Sequence, residues 1–158
     1  MATNKNLSNY NIEEVHDLKG MRFAIVVSEW NNHITENLFV GAHQTLIKYG
    51  VKKNDIVRID VPGSFELIFG AKIAAKYNYN AIICLGSIIK GETNHFHYIC
   101  NAVSLGIKDL NIKFDIPVIF GVLTDDNEQQ AIDRSGGRYG NKGIEASITA
   151  IKMAVLNK

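Results

Sequence analysis

Four short stretches of this chain are apolar almost without interruption and rich in β-branched residues: Met21–Ser28 (MRFAIVVS), Asp55–Val61 (DIVRIDV), Ala81–Ser87 (AIICLGS) and Pro117–Thr124 (PVIFGVLT). Such runs predict strands buried on both faces, as in a parallel sheet. Between them apolar residues return every three or four positions. That spacing predicts helices over Ile34–Tyr49, closed by Gly50, then over Phe65–Tyr77 and His95–Leu110, with Asn127–Ser135 and Asn141–Leu156 after the last strand. The order is β-α-β-α-β-α-β-α-α. Right-handed crossovers then give a three-layer α/β/α sheet of four parallel strands, whose ligands bind outside the carboxyl ends of the strands. Leu7–Tyr10 is a candidate extra edge strand within a polar, extended arm over residues 1–16.

Composition narrows the class. A chain of 158 residues suits one domain, here 1–158, and its 46% hydrophobic and 21% charged content with a formal charge of +1 argues against disorder. No block of like charge suggests nucleic acid or an electrostatically held membrane surface as partner. No apolar run approaches the ~18 residues of a spanning helix, and Met1–Asn11 lacks the cationic and hydrophobic parts of a signal peptide. A cytoplasmic location is expected, where two cysteines without C-x-x-C spacing read as free thiols.

One stretch invites a metal. CLGSIIKGETNHFHYIC, Cys84–Cys100, sets a His-x-His array between two cysteines. On a helix, however, neighbours two positions apart are rotated by roughly 200°, so His97 points away from His95. Cys84 falls inside a strand core, Cys100 on a helix flank, and His95 one turn before Ile99 on the predicted buried stripe. The thiols therefore read as packed side chains, with no metal site. What remains is GETNH, a strand-to-helix loop with Gly91, the capping-type residues Thr93 and Asn94, and an imidazole at the helix start. Free N–H groups and the positive end of the helix dipole hold phosphates at such a place, and an imidazole beside them can move protons. The same loop also suits a plain helix cap with a packed histidine, the commoner case.

Two other strand ends add chemistry at the same edge. Ser28-Glu29-Trp30-Asn31 follows the first strand, and VPGSFE follows the second. Trp30 and Phe65 could sandwich a planar ring while Glu66 and Asn31 exchange hydrogen bonds with it. Each aromatic alone could be core packing; two at one edge are harder to explain that way. Arg134, in AIDRSGGRYGNKG, is a candidate phosphate fork, although a lone helical arginine is more often a solvated charge. Gly136, Gly137, Gly140 and Gly143 predict a shaped loop before the last helix. Neither a G-x-G-x-x-G fingerprint nor a P-loop is present, so no classical cofactor is implied.

VPGSFE, LGSIIKGETNHF, PVIFGVLT, and AIDR followed by GNKG resemble, in order and spacing, the blocks of the lumazine synthase family of riboflavin biosynthesis, from about Met21 to the C-terminus. The resemblance implies a flavodoxin-like fold. It implies an enzyme that condenses 5-amino-6-(D-ribitylamino)uracil with 3,4-dihydroxy-2-butanone 4-phosphate, giving 6,7-dimethyl-8-ribityllumazine, phosphate and water without metal or cofactor. By the same resemblance Trp30 stacks on the pyrimidine, and Ser64, Phe65 and Glu66 hold the ring and ribityl chain. Ser87, Ile88 and Ile89 line the pocket, Glu92 and Thr93 cradle the phosphate through their main chain, and His95 transfers protons. Phe120, Arg134 and Lys142 would come from an adjacent subunit. That makes the partner a second copy of the chain, in a pentamer and, given the short SGGRYGN link, in a shell of twelve pentamers; riboflavin synthase is a further candidate partner. Lys90, Glu92, His97 and Ala102 stand where the family usually has other residues. A flavin-binding or shell-forming relative with weakened catalysis is the alternative. A receiver module is disfavoured, since the pair Asp125-Asp126 follows the fourth strand and not the first.

Overall fold

The computed structural model describes residues 18–157. Its central sheet contains β1 (Phe23–Ser28), β2 (Ile56–Val61), β3 (Ala81–Ile89) and β4 (Val118–Asp125), all parallel, in the order β2-β1-β3-β4. The helices are α1 (Asn32–Lys48), α2 (Leu67–Ala74), α3 (His95–Lys113), α4 (Glu128–Arg134) and α5 (Lys142–Leu156). The predicted fold class and element order therefore hold, with boundaries shifted by one to three residues at most ends. Leu7–Tyr10 and the rest of the N-terminal arm lie outside the described residues. No helix among those described is long and apolar enough to cross a membrane.

Side-chain alternation along each strand divides the core in two. Phe23, Ile25, Val27, Ile83 and Leu85 meet Leu38, Ala131 and Ala150 of α1, α4 and α5 on one face. Ala24, Val26, Ile82 and Cys84 meet Leu67, Ala71, Val103 and Ile107 of α2 and α3 on the other. Each large aliphatic or aromatic side chain so buried is worth about 1.5–3 kcal/mol against exposure, and β1 and β3 are buried along almost their whole length. α1 and α5 approach closely because the meeting residues are small. A Cβ on Gly143 would collide with the Leu38 carbonyl oxygen, and the Ser147 hydroxyl donates to Ala42 O at 3.1 Å.

β2 departs from the expectation of burial on both faces. It is an edge strand, and Arg58 and Asp60 are exposed on it. Arg58 Nε donates to Asp60 Oδ1 at 2.7 Å, its terminal nitrogens bond the Glu36 carboxylate, and the guanidinium lies 4.5 Å from the Phe39 ring centroid. Charges of this kind protect an open edge from pairing indiscriminately. A second departure lies before α5: Ser135–Gly137 (β5) and Gly140–Asn141 (β6) form a small antiparallel ribbon where only turns were expected. Asn141 secures it. Its Oδ1 accepts from Gly143 N at 2.8 Å, capping α5, while Nδ2 donates to Asn37 O at 2.9 Å and Ser135 O at 3.2 Å.

Candidate active site

The chain crosses from β1 to β2 by α1 on one face and returns to β3 by α2 on the other, so the connections diverge between the carboxyl ends of β1 and β3. Crevices form at such a point. Here it is a cavity of about 860 Å³, lined from β1–α1 by Trp30 and Asn31, from β2–α2 by Pro62, Gly63, Ser64, Phe65 and Glu66, and from β3 by Ser87, Ile88 and Ile89. Gly91, Thr93, His95, Phe96 and Ile99 close the α3 side, and Glu128 completes the lining.

Local backbone chemistry shapes each wall. Asn31 sits at φ 58°, the left-handed region, which asparagine tolerates better than most residues. Its Nδ2 donates to Ser87 O at 3.0 Å, tying the β1 loop to β3 across the crevice. Trp30 is consequently held out from the core, 72% exposed. The Pro62–Glu66 turn lies directly over β3, which needs glycine beneath it: a Cβ on Gly86 would be 2.7 Å from Ser64 Oγ and 3.0 Å from Leu67 Cδ1. The Ser87 hydroxyl is 1% exposed and has no hydrogen-bond partner among the described residues.

At the α3 side, His95 N donates to Thr93 Oγ1 at 3.4 Å, so Thr93 acts as a cap; Asn94 occupies the cap position but its side chain makes no capping bond. His95 itself corrects the sequence expectation. It is exposed and lines the cavity instead of continuing the buried stripe, because the first turn of α3 projects past the end of the sheet and only Val103, Ile107 and Leu110 are fully covered. Glu92 is exposed beside the loop and is not part of the lining. Cys84 is sealed in the sheet, where burial pushes its thiol up to about 12, and burial also raises Cys100. Both thiols are poor nucleophiles and poor metal ligands in that state.

Three residues expected at a site are elsewhere in this chain. Phe120 lies on the outer strand β4, 37% exposed. Arg134 and Lys142 share a carboxylate: Arg134 Nη2 is 3.0 Å from Glu145 Oε1 and Lys142 Nζ 3.2 Å from Oε2, while Arg134 Nη1 donates to Tyr139 O at 2.8 Å. Glu145 was not legible as a site residue; its only sequence signal is the i,i+3 spacing from Lys142. Asp125 stands near this cluster. Burial pushes its carboxyl up to about 6, the nearby Arg134 works against that shift, Asp126 adds to it, and Oδ2 has no hydrogen-bond partner among the described residues.

The β2-β1-β3-β4 parallel sheet defines a flavodoxin-like α/β protein, and the cavity at its topological switch point is lined by two aromatics, two carboxylates and an imidazole at a helix start. The particular family follows from comparison. The family model for 6,7-dimethyl-8-ribityllumazine synthase matches residues 20–158, and the chain belongs to that family. It is 56% identical over 153 residues to the 6,7-dimethyl-8-ribityllumazine synthase of Cytophaga hutchinsonii, covering 96% of each chain. The enzymes of the same name from Flavobacterium johnsoniae (56%, all of this chain and 84% of the relative) and Parabacteroides distasonis (55%, 94% of each) are similarly close.

Proposed function

We propose that this chain is a transferase of riboflavin biosynthesis that condenses 5-amino-6-(D-ribitylamino)uracil with 3,4-dihydroxy-2-butanone 4-phosphate to 6,7-dimethyl-8-ribityllumazine. The cavity at the ends of β1, β2 and β3 carries the reading, because its lining matches what the two substrates need. Trp30 and Phe65 offer faces for the pyrimidinedione; Ser64, Glu66 and the Ser87–Ile89 strand end hold ring and ribityl chain. The phosphate rests on the Glu92–Thr93 main chain at the positive end of the nineteen-residue α3. The 5-amino nitrogen attacks the ketone carbonyl and water leaves as the imine forms. A proton is then taken from the neighbouring carbon as phosphate departs, and the ribityl-bearing nitrogen closes the ring with loss of water. His95 is the group placed to carry these protons. Most of the acceleration is assigned to orientation of amine against carbonyl.

The complete site on this reading belongs to an oligomer. Phe120, Arg134 and Lys142 reach a neighbour's cavity, supported by the fact that none of them lines this chain's own. Tyr98, Leu105 and Ile112, 72%, 49% and 76% exposed and seven residues apart on α3, form an apolar stripe suited to packing against another copy. The assembly is a closed pentamer, with the short Ser135–Asn141 link admitting twelve such rings in a shell, in the cytoplasm, with riboflavin synthase as a partner. Mixing the protein with both substrates should produce lumazine absorbance and fluorescence above the uncatalysed rate, and sedimentation should give a mass of a pentamer or a multiple of it. No product above background would overturn the enzymatic reading; an active monomer would overturn the shared site.

A further inference from the structure

The cavity has two unlike walls. On the α2/α3 side stand Phe65, Glu66, Thr93, His95 and Phe96, at the positive end of the α3 dipole; on the α1/α4 side stand Trp30, Asn31 and Glu128. Nothing so far gives Glu128 a task. Its Oε1 is 2.8 Å from His33 Nε2, a bridge from the first turn of α1 to the first turn of α4. With side chains 52% and 63% exposed, that pair contributes little to stability. What it does is geometric. One carboxylate oxygen lies against His33 while Glu128 lines the cavity, so the second oxygen is free to accept a further hydrogen bond.

We propose that Glu128, positioned by His33, is a specificity-determining residue: it accepts hydrogen bonds from the hydroxyl chain of the pyrimidine substrate and repels the phosphate-bearing substrate from that wall. The inference rests on the function proposed above. Chemistry distinguishes the two substrates at this point, since one carries a row of hydroxyl donors and no charge while the other carries a dianion. A carboxylate on one wall and a helix N-terminus on the other sort them in opposite directions, which matters when both must enter one open cavity in the correct places. Glu66 is the acid of the opposite wall, its carboxylate folded back over Gly63, 2.9 Å from where a Cβ there would stand, so Glu128 meets the hydroxyl chain from the side that Glu66 leaves open.

The test compares two ring-identical ligands on the assembled protein: 6,7-dimethyl-8-ribityllumazine, which has the hydroxyl chain, and 6,7-dimethyllumazine, which lacks it. Titration of Glu128→Ala should show affinity for the first reduced about three- to tenfold, as for loss of a hydrogen bond to a charged group in a partly wet site, and affinity for the second within twofold of wild type. His33→Ala should give a smaller loss of the same kind, restored by His33→Gln, which keeps a side-chain donor. In steady state the KM of the pyrimidine should rise in Glu128→Ala and that of the ketone phosphate should not. Equal weakening of both ligands, no weakening of either, or a KM rise confined to the ketone phosphate each overturns the proposal while leaving the enzyme's function intact. Wild-type protein that binds neither ligand overturns the functional reading, and the assignment of Glu128 with it.

Discussion

The strand-end cavity and the Arg134–Glu145–Lys142 cluster are both rich in polar groups, yet they are organised in opposite ways. In the cavity polar groups are left unengaged: the buried Ser87 Oγ has no hydrogen-bond partner among the described residues, and His95 and Trp30 stand exposed. In the cluster every charge already has an internal counterpart, with the Arg134 and Glu145 side chains only 20% and 14% exposed. The first is built to receive a ligand from this chain's own loops. The second is a cationic pair held in place by one carboxylate, an arrangement that suits the role proposed for it in a neighbour's site.

Breaking the cavity should have the largest effect. In Gly86→Val the added carbons meet Ser64 and Leu67, so the Pro62–Glu66 loop must move. Stability should fall by about 1–3 kcal/mol, and turnover by more than roughly 100-fold, since even a 1 Å misplacement can cost that much. Wild-type kcat/KM together with a lowered urea midpoint would show that the loop does not define the ring site. His95→Gln should lower kcat by about 100-fold while leaving both KM values nearly unchanged; a pH–rate profile identical to wild type removes the proton role.

The cluster should respond through one substrate only. Glu145→Ala frees Arg134 and Lys142 from their shared anchor, and the KM of the ketone phosphate should rise about tenfold, as should that of Arg134→Ala, with the double variant no worse than either. Additive effects would mean that Glu145 does not act through Arg134. Asp125 sharpens the comparison from the stability side. Burial pushes its folded carboxyl up to about 6, above the ordinary aspartate range, so the folded state holds the proton more tightly, and stability contributed by this group is lost as pH rises from about 4 to about 6. Asp125→Asn should therefore be more stable than wild type by about 1–2 kcal/mol at pH 7 and equal to it near pH 4, as read by urea unfolding. The smallest effect is expected for Trp30→Ala, which should weaken a lumazine ligand by about 0.5–1.5 kcal/mol beyond lost contact area. Undiminished affinity in calorimetry places Trp30 outside the binding surface.

The sheet was legible because its inner strands carry uninterrupted β-branched runs and because Asn127 and Asn141 mark two helix starts, both now seen to cap. The ribbon was not. Ser135–Gly137 holds no β-branched residue, and its anchoring depends on Asn141 bonding back to Ser135 O and across to Asn37 O of α1, a long-range contact no local pattern records. The periodicity of α3 was followed one turn too far at His95, since a stripe in sequence says nothing about where the sheet beneath it ends. Trp30, Phe65 and Glu66 were found because aromatic and acidic residues at a strand end are unusual enough to notice. Glu128 was missed for the converse reason: an acid in the first turn of a helix is ordinary complementation of the dipole, and only the placement of α4 brings it to the cavity.

The strand order has a consequence for the making of the protein. β1 is sheathed on both flanks, by β2 and by β3, and all six of its residues are buried, yet β3 does not begin until Ala81. A growing chain that has completed β2 but not β3 offers the ribosome's surroundings a bare apolar strand with one unpaired rim, the type of surface on which nascent polypeptides aggregate. The cavity comes later still, since its lining runs from Trp30 to Glu128. The interval between Val61 and Ala81, while β1 waits for β3, is therefore where slow synthesis leaves the most strand surface uncovered.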